Sequence, residues 1–242
     1  MKLISLNIWG GHLRAPLLEF IKAHQEVDIF CFQEVYHQAK NKISTEDREV
    51  SLNIFSELQN LLPTHRGFFR PVVDNIYGIG AFVRDSIHVL QEGDAPIHIN
   101  PNYIGRGPTH SRNLQWLKCQ IKQQTYSIIN VHGLWNGCGK TDSPERLMQS
   151  QKIRQFIDSI NNPMVICGDF NLRPDTESLS IIAQGLNNLI ESHQINSTRT
   201  SLYPKPEKFA DYILTSPDIV IESFQVLQHE VSDHAPLMID FK

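Results

Sequence analysis

The chain has 242 residues, 40% of them hydrophobic and 20% charged, with 22 basic against 26 acidic residues and a net charge of −4. No Gly/Ser/Pro-rich linker, repeat or low-complexity tract divides it, so one α/β domain over residues 1–242 is expected. The acidic balance argues against a dedicated polyanion binder, and no stretch approaches the ~20 apolar residues of a membrane helix.

The chain opens on MKLISLNIWGG. A lysine followed by apolar residues has the outline of a secretory signal, but the run is short, Asn7 interrupts it and no small-residue cleavage site follows. It reads as a first strand, Leu3 to Ile8. Helical spacing then covers Arg14 to His24, followed by a strand at Val27 to Phe32, a helix over Glu46 to Leu62 and a strand at Ile79 to Val83. Strands are expected next at Leu114 to Ile121 and Tyr126 to Val131. Ser143-Pro144-Glu145 supplies an N-cap, a proline at the first helical position and an early acid, opening a helix that runs to Ile160. Met164 to Cys167 is a strand and Thr176 to Ala183 a short helix. Strands at Phe209 to Leu214, Ile219 to Leu227 and Pro236 to Phe241 complete the order. Runs that are apolar throughout, such as IFCF and MVIC, must be covered on both faces. The expected architecture is a four-layer α/β sandwich, two packed mixed β-sheets flanked by helices. Cys31, Cys119 and Cys167 sit in apolar runs, Cys138 in a loop, and there is no CxxC pair, which fits buried thiols in a reducing, cytoplasmic setting.

Polar residues gather where the apolar runs end: Asn7 in LNIW, Gln33-Glu34 after FCF, His132-Gly133 after IINV, Asp169 and Asn171 in GDFN, Asp211 after FA, and Ser232-Asp233-His234 before the last strand. Side chains leave the core there, and α/β proteins place ligand sites at such strand ends. Taken singly, each has an ordinary reading. Asn7 could be a strand-end hydrogen bonder, His132 a satisfied core histidine, and Asp169 and Asn171 turn formers after Gly168. Glu34 is harder to place, because a carboxylate directly after a buried run is costly unless paired. Together the residues offer carboxylates and amides for a hard oxygen-ligated cation such as Mg²⁺. Beside it stand histidines for phosphate oxygens and an aspartate to orient or deprotonate water. The histidines and cysteines do not fall into zinc spacings such as HExxH.

In their order along nearly the whole chain, LNIW, FQE, NVHG, GDFN, Asp211 and SDH resemble the endonuclease/exonuclease/phosphatase superfamily, which includes deoxyribonuclease I, abasic-site endonucleases, neutral sphingomyelinases, inositol polyphosphate 5-phosphatases and the tyrosyl-DNA phosphodiesterase 2 type. The resemblance implies a Mg²⁺-dependent hydrolase of phosphoester bonds, with Mn²⁺ as a possible substitute, acting by in-line water attack. Glu34 would be the principal metal ligand, with Asn7 and Asp233 close to the metal or its waters. Asp169 would activate water and Asn171 position it or the phosphate. His132 and His234 would contact the scissile phosphate, and Asp211 would fix the tautomer of His234 and favour its imidazolium form. Gly168 is expected to let the backbone turn after the MVIC strand, with Phe170 directed back into the core.

Substrate is less marked. Arg112-Asn113 and the Glu145-Arg146 helix with Gln149 or Gln151 are similar to positions in the tyrosyl-DNA phosphodiesterase branch, and Arg112 could hold a non-scissile phosphate through its paired donors. Trp9, His12, Tyr103, His110 and Trp135 fall in expected loops, where they could line a pocket or stack on bases. No dense basic run marks a DNA-facing rim, and no long apolar loop marks a lipid enzyme. The first reading is a monomeric phosphodiesterase or phosphatase. A nuclease or DNA-end-processing enzyme is the second, and a catalytically silent binding scaffold a third of another class.

Overall fold

The computed structural model describes residues 1–40, 50–105 and 108–242. In chain order the elements are β1 (Lys2–Asn7), a 3-10 turn (Trp9–Gly11), α1 (Arg14–Ala23), β2 (Ile29–Tyr36), α2 (Ile54–Leu61), β3 (His65–Val73), β4 (Tyr77–Arg84), β5 (His88–His98) and β6 (Arg112–Ile121). They continue as β7 (Gln124–His132), α3 (Pro144–Asp158), β8 (Met164–Asp169), α4 (Glu177–Ala183), β9 (Asn187–Asn188), α5 (Leu189–Ser192), β10 (Asp211–Thr215), β11 (Ile221–Val226) and β12 (Leu237–Phe241).

The strands form two six-stranded mixed sheets, ordered β11-β12-β1-β2-β4-β3 and β5-β6-β7-β8-β10-β9. Each sheet has one parallel pair at its centre, β1 with β2 and β7 with β8, flanked by antiparallel neighbours. Parallel strands need a crossover. Helices α1 and α3 supply the two crossovers. The central pairs of the two sheets face each other.

Two-residue alternation divides the side chains between two cores. From β1 and β2, Leu3, Ile29 and Cys31 point between the sheets, while Ile4, Leu6, Phe30 and Phe32 point outward to Leu17, Phe20 and Ile21 of α1 and to Ile54 and Leu58 of α2. Helices α3 and α4 cover the second sheet through Ile153, Ile157, Leu179 and Ile182. The layers are therefore helix, sheet, sheet, helix, the four-layer sandwich expected.

Several boundaries differ from the sequence reading. Strand β2 continues past Phe32 through Gln33 and Glu34, with a register shift against β4 between Phe32 and Val35. The helix expected from Glu46 begins at Ile54; residues 46–49 lie outside the described residues. Strands β3 and β5 were not expected. Each carries a glycine and a proline, Gly67 with Pro71 and Gly93 with Pro96, and each lies at a sheet edge, where a missing backbone N–H is tolerated. Gly168 does not form a turn. It lies inside β8 opposite Val131 at φ 136°, and a Cβ there would stand 2.0 Å from the Val131 carbonyl oxygen. Its requirement is close approach of two strands. Phe170 is 1% exposed against Tyr212, as expected.

Candidate active site

The parallel pairs end at the same level, and their last residues meet. Asn7 pairs with Gln33 across β1 and β2, His132 with Asp169 across β7 and β8, and Asp211 with Asp169 across β10 and β8. Glu34 reaches this level through the irregularity in β2. It adopts a left-handed φ of 58°, which breaks the alternation and directs its carboxylate toward Asn7 and His132. Its neighbour Gln33 is buried between the sheets and donates to the Asn130 side-chain oxygen at 2.7 Å.

Asp169 is the hub. Its Oδ2 accepts from Asn7 Nδ2 at 2.9 Å and lies 3.6 Å from His234 Nε2 and 4.0 Å from His132 Nε2; its Oδ1 accepts from the Asn171 backbone at 2.9 Å. Asn171, at a left-handed φ of 54°, donates its side-chain amide to the Gly133 carbonyl at 3.2 Å. Asn7 also donates to Glu34 Oε1 at 3.0 Å, while its own oxygen accepts from the Trp9 backbone at 3.0 Å. The amide therefore presents donors to the two carboxylates, and its oxygen is already engaged. Asp233 is held by Arg199 at 3.1 Å, and its other oxygen lies 3.8 Å from His234 Nε2.

Burial and neighbouring charge set the protonation pattern. Desolvation, with Asp233 and Asp169 nearby and against the Asn7 hydrogen bond, lifts Glu34 to about 7. Burial, then Arg112, His110 and His234, hold His132 well below the ordinary histidine value. Arg112 is itself buried, with a guanidinium nitrogen 2.9 and 3.0 Å from the two ring nitrogens of His132. His234 Nδ1 lies 2.8 Å from Asp211, which also accepts from the Thr198 hydroxyl at 3.1 Å. Burial pushes both members of this pair toward their neutral forms, Asp211 up to about 6 and His234 down to about 4, with Arg199 adding to the latter. The expected imidazolium is thus disfavoured, because desolvation and Arg199 outweigh the nearby Asp169 and Asp233 carboxylates. With Asp211 accepting the Nδ1 proton, Nε2 is left facing Asp169.

Among the described residues two groups could hold a metal ion, Glu34 with His132 and Asp169, and Asp169 with Asp211 and His234, the ligand atoms of each group lying within 4.8 Å of one another. All nine residues expected from the sequence are brought together. Seven gather around Asp169, and Arg112 backs His132 from the wall of a cavity of about 650 Å³. Trp9, His12, Tyr103, His110 and Trp135 line the same cavity. Arg146 is buried and donates to the carbonyls of Leu134, Gly139 and Thr141, holding the loop after His132. Lys140, Arg199, Tyr203 and Lys205 also line the cavity and were not singled out from the sequence.

Two packed mixed sheets that gather acids, amides and histidines at their central strand ends define a sandwich of the DNase I-like type. The chain belongs to the Endonuclease/Exonuclease/phosphatase family, which it matches over residues 4–234; members of that family are phosphoester hydrolases. No curated protein matches it. Among solved structures it is similar to an endonuclease/exonuclease/phosphatase from Bacteroides vulgatus, with 19% identity, TM-score 0.73 and coverage of 100% of this chain and 98% of that one. It is also similar to a mannosyl-6-phosphatase from Bacteroides thetaiotaomicron, at 16% identity, TM-score 0.75 and 100% and 99% coverage. A humanized D. rerio TDP2 gives 16% identity, TM-score 0.71 and 100% and 98% coverage. No helix among the described residues is long and apolar enough to cross a membrane.

Proposed function

We propose that this protein is a divalent-cation-dependent phosphoester hydrolase that drives in-line attack of water on phosphorus. The observation that carries the reading is the meeting of Glu34, Asp169 and Asp233, three carboxylates from separate segments, in one cavity with Glu34 lifted to about 7. Such crowding is unfavourable for the ligand-free protein and is relieved by a cation. The donor set, carboxylates with no thiolate, fits Mg²⁺ with Mn²⁺ as substitute. Glu34 would be the principal ligand with Asp233 beside it, and a bound ion would polarise the phosphate and neutralise its charge.

The remaining roles belong to the chain itself. Asn7 orients the Glu34 and Asp169 carboxylates through its two N–H groups. Asp169, fixed by Asn7 and by the Asn171 backbone, is the acceptor that orients water and takes its proton. His132, kept neutral beside Arg112, offers a ring N–H without adding charge, while Arg112 supplies the fixed positive charge behind it. His234, with Nδ1 committed to Asp211, turns Nε2 toward the phosphate and takes up a proton as the dianion enters. The neighbours' names extend from a mannosyl-6-phosphatase to TDP2, so substrate choice does not follow from the fold.

Hydrolysis of a bis-aryl phosphodiester and an aryl phosphomonoester in Mg²⁺, Mn²⁺ and EDTA tests the proposal. Turnover that needs a divalent ion and disappears in Glu34→Gln is expected. Silence under every metal condition, on both esters and on abasic and 5′-phosphorylated DNA, would leave the scaffold reading in its place.

A further inference from the structure

Lys140 is a charged side chain in surroundings that ordinarily exclude one. It is 2% exposed, and among the described residues its ammonium donates one hydrogen bond, to the Tyr203 hydroxyl at 3.3 Å. Among the described residues it forms no ion pair. Asp169, Asp211 and Glu207 act on it only at longer range, and burial is the larger effect, pulling its pKa below the ordinary lysine value. A buried charge without a counterion costs several kcal/mol and is retained where something supplies that counterion.

The surroundings are built. The Trp135 and Tyr203 rings stand 5.1 Å from the Lys140 ammonium, and Lys205 lies 4.7 Å from the centre of the Trp135 ring. Lys205 likewise has no ion pair among the described residues, whereas Arg199, 4.0 Å from the Tyr203 ring, is neutralised by Asp233. The loop carrying Trp135 and Lys140 is fixed from α3: Arg146 donates to its carbonyls, and Gln149 accepts from the Leu134 backbone at 2.8 Å. The Lys140 carbonyl itself accepts from the Arg173 backbone at 3.0 Å. Two uncompensated ammonium groups and a hydroxyl therefore face the cavity that holds Asp169 and His234.

Resting on the hydrolase reading above, we propose that Lys140, Lys205 and the Tyr203 hydroxyl form a second anion subsite, and that the substrate is a small phosphoester carrying a further phosphoryl group beside the one hydrolysed. Two ammonium point charges suit a dianion free to rotate, where a planar carboxylate favours an arginine fork. Lys140 and Lys205 line one cavity of about 650 Å³, the scale of a small ligand, and a net charge of −4 does not favour a polynucleotide.

Calorimetric binding of ethylene glycol, propanediol and butanediol bisphosphates, and of the matching monophosphates, reads this subsite without turnover. The whole protein is used, with and without Mg²⁺. At least one bisphosphate is expected to bind about tenfold more tightly than its monophosphate, the scale of one charge-assisted contact. That ratio should fall roughly fivefold or more in Lys140→Gln and in Lys205→Gln. Lys205 is exposed, so its variant keeps the test open should Lys140→Gln fail to fold. A wild-type ratio near unity at every spacing, or a ratio unchanged in the Lys205 variant, overturns the subsite. So does a single-stranded oligonucleotide whose affinity falls steeply with salt and depends on both lysines while the bisphosphates show no preference. Turnover is read separately: no metal-dependent hydrolysis of the aryl esters or of the bisphosphates, with bisphosphate selectivity intact, sinks the hydrolase reading and leaves the subsite, and the converse result sinks the subsite alone.

Discussion

Glu34 occupies a backbone conformation and an environment that both cost free energy. Its φ of 58° lies in the left-handed region, and its side chain, 29% exposed, shares the cavity with Asp233 and Asp169. An acid lifted from an ordinary value of 4.5 to about 7 is ionised in the unfolded chain before it is ionised in the fold. Stability is therefore lost as pH rises from about 4.5 to about 7, and the whole cost persists above that. Glu34→Gln in EDTA should accordingly stabilise the protein at pH 8, by on the order of 2 kcal/mol after allowing for partial exposure, and by little at pH 5. Thermal melts at the two pH values check this, and a variant less stable than wild type at pH 8 contradicts it. The same substitution should remove metal-dependent turnover. Asp169→Asn separates the two effects. It keeps one acceptor oxygen for the two donors that Asp169 accepts from and cannot take a proton, so turnover should fall on the order of 10²–10⁴-fold, with a stability loss limited to roughly the 1–3 kcal/mol of one buried hydrogen bond. A variant that turns over at the wild-type rate removes Asp169 from proton transfer.

At the scale of elements, the irregularity in β2 is held from the opposite sheet. Asn130 on β7 accepts from Gln33 and donates to the carbonyls of Phe32 at 3.2 Å and Gly80 at 3.3 Å, on the two strands that lose register there. Gln115 on β6 extends the bridge to the Phe68 carbonyl at 2.9 Å. These groups are buried, so Asn130→Leu leaves amide and carbonyl partners unpaired, at roughly 2–4 kcal/mol. If the bridge also aims Glu34, metal affinity by calorimetry should drop about tenfold with it; a lower melting temperature with unchanged metal affinity would show a purely structural part. None of this is visible in sequence, where Gln33 and Asn130 look like ordinary polar residues near strand ends. Glu34 was legible because an acid after a buried run needs a reason, yet its backbone conformation was not, since nothing in FQEV marks an irregularity. The edge strands β3 and β5 escaped because their glycines and prolines read as loop. Lys140 and Lys205 escaped for another reason: they come from separate loops, and Lys140 is placed by Arg146, whose buried contacts depend on the finished fold.

Across the whole molecule, the site is a seam. Asn7 and Glu34 come from one sheet, His132, Asp169 and Asp211 from the other, and Asp233 and His234 precede β12, which returns to the first. A cation held by groups from both sheets binds the folded protein and not the separated parts, so it stabilises by mass action, by about 2.7 kcal/mol at a hundred times its dissociation constant. With Glu34 as the proposed principal ligand, proton and cation would compete for it. Above about 7 the carboxylate is free for the ion, and below it each unit of pH should weaken apparent metal affinity by up to about tenfold. Added Mg²⁺ should therefore raise the melting temperature clearly at pH 8 and much less at pH 6, and in Glu34→Gln the shift should be small at both. Metal titrations followed by thermal unfolding decide the matter. An equal shift at pH 6 and pH 8 in the wild type would mean that the proton on Glu34 does not compete with the ion, and would remove Glu34 as the principal ligand.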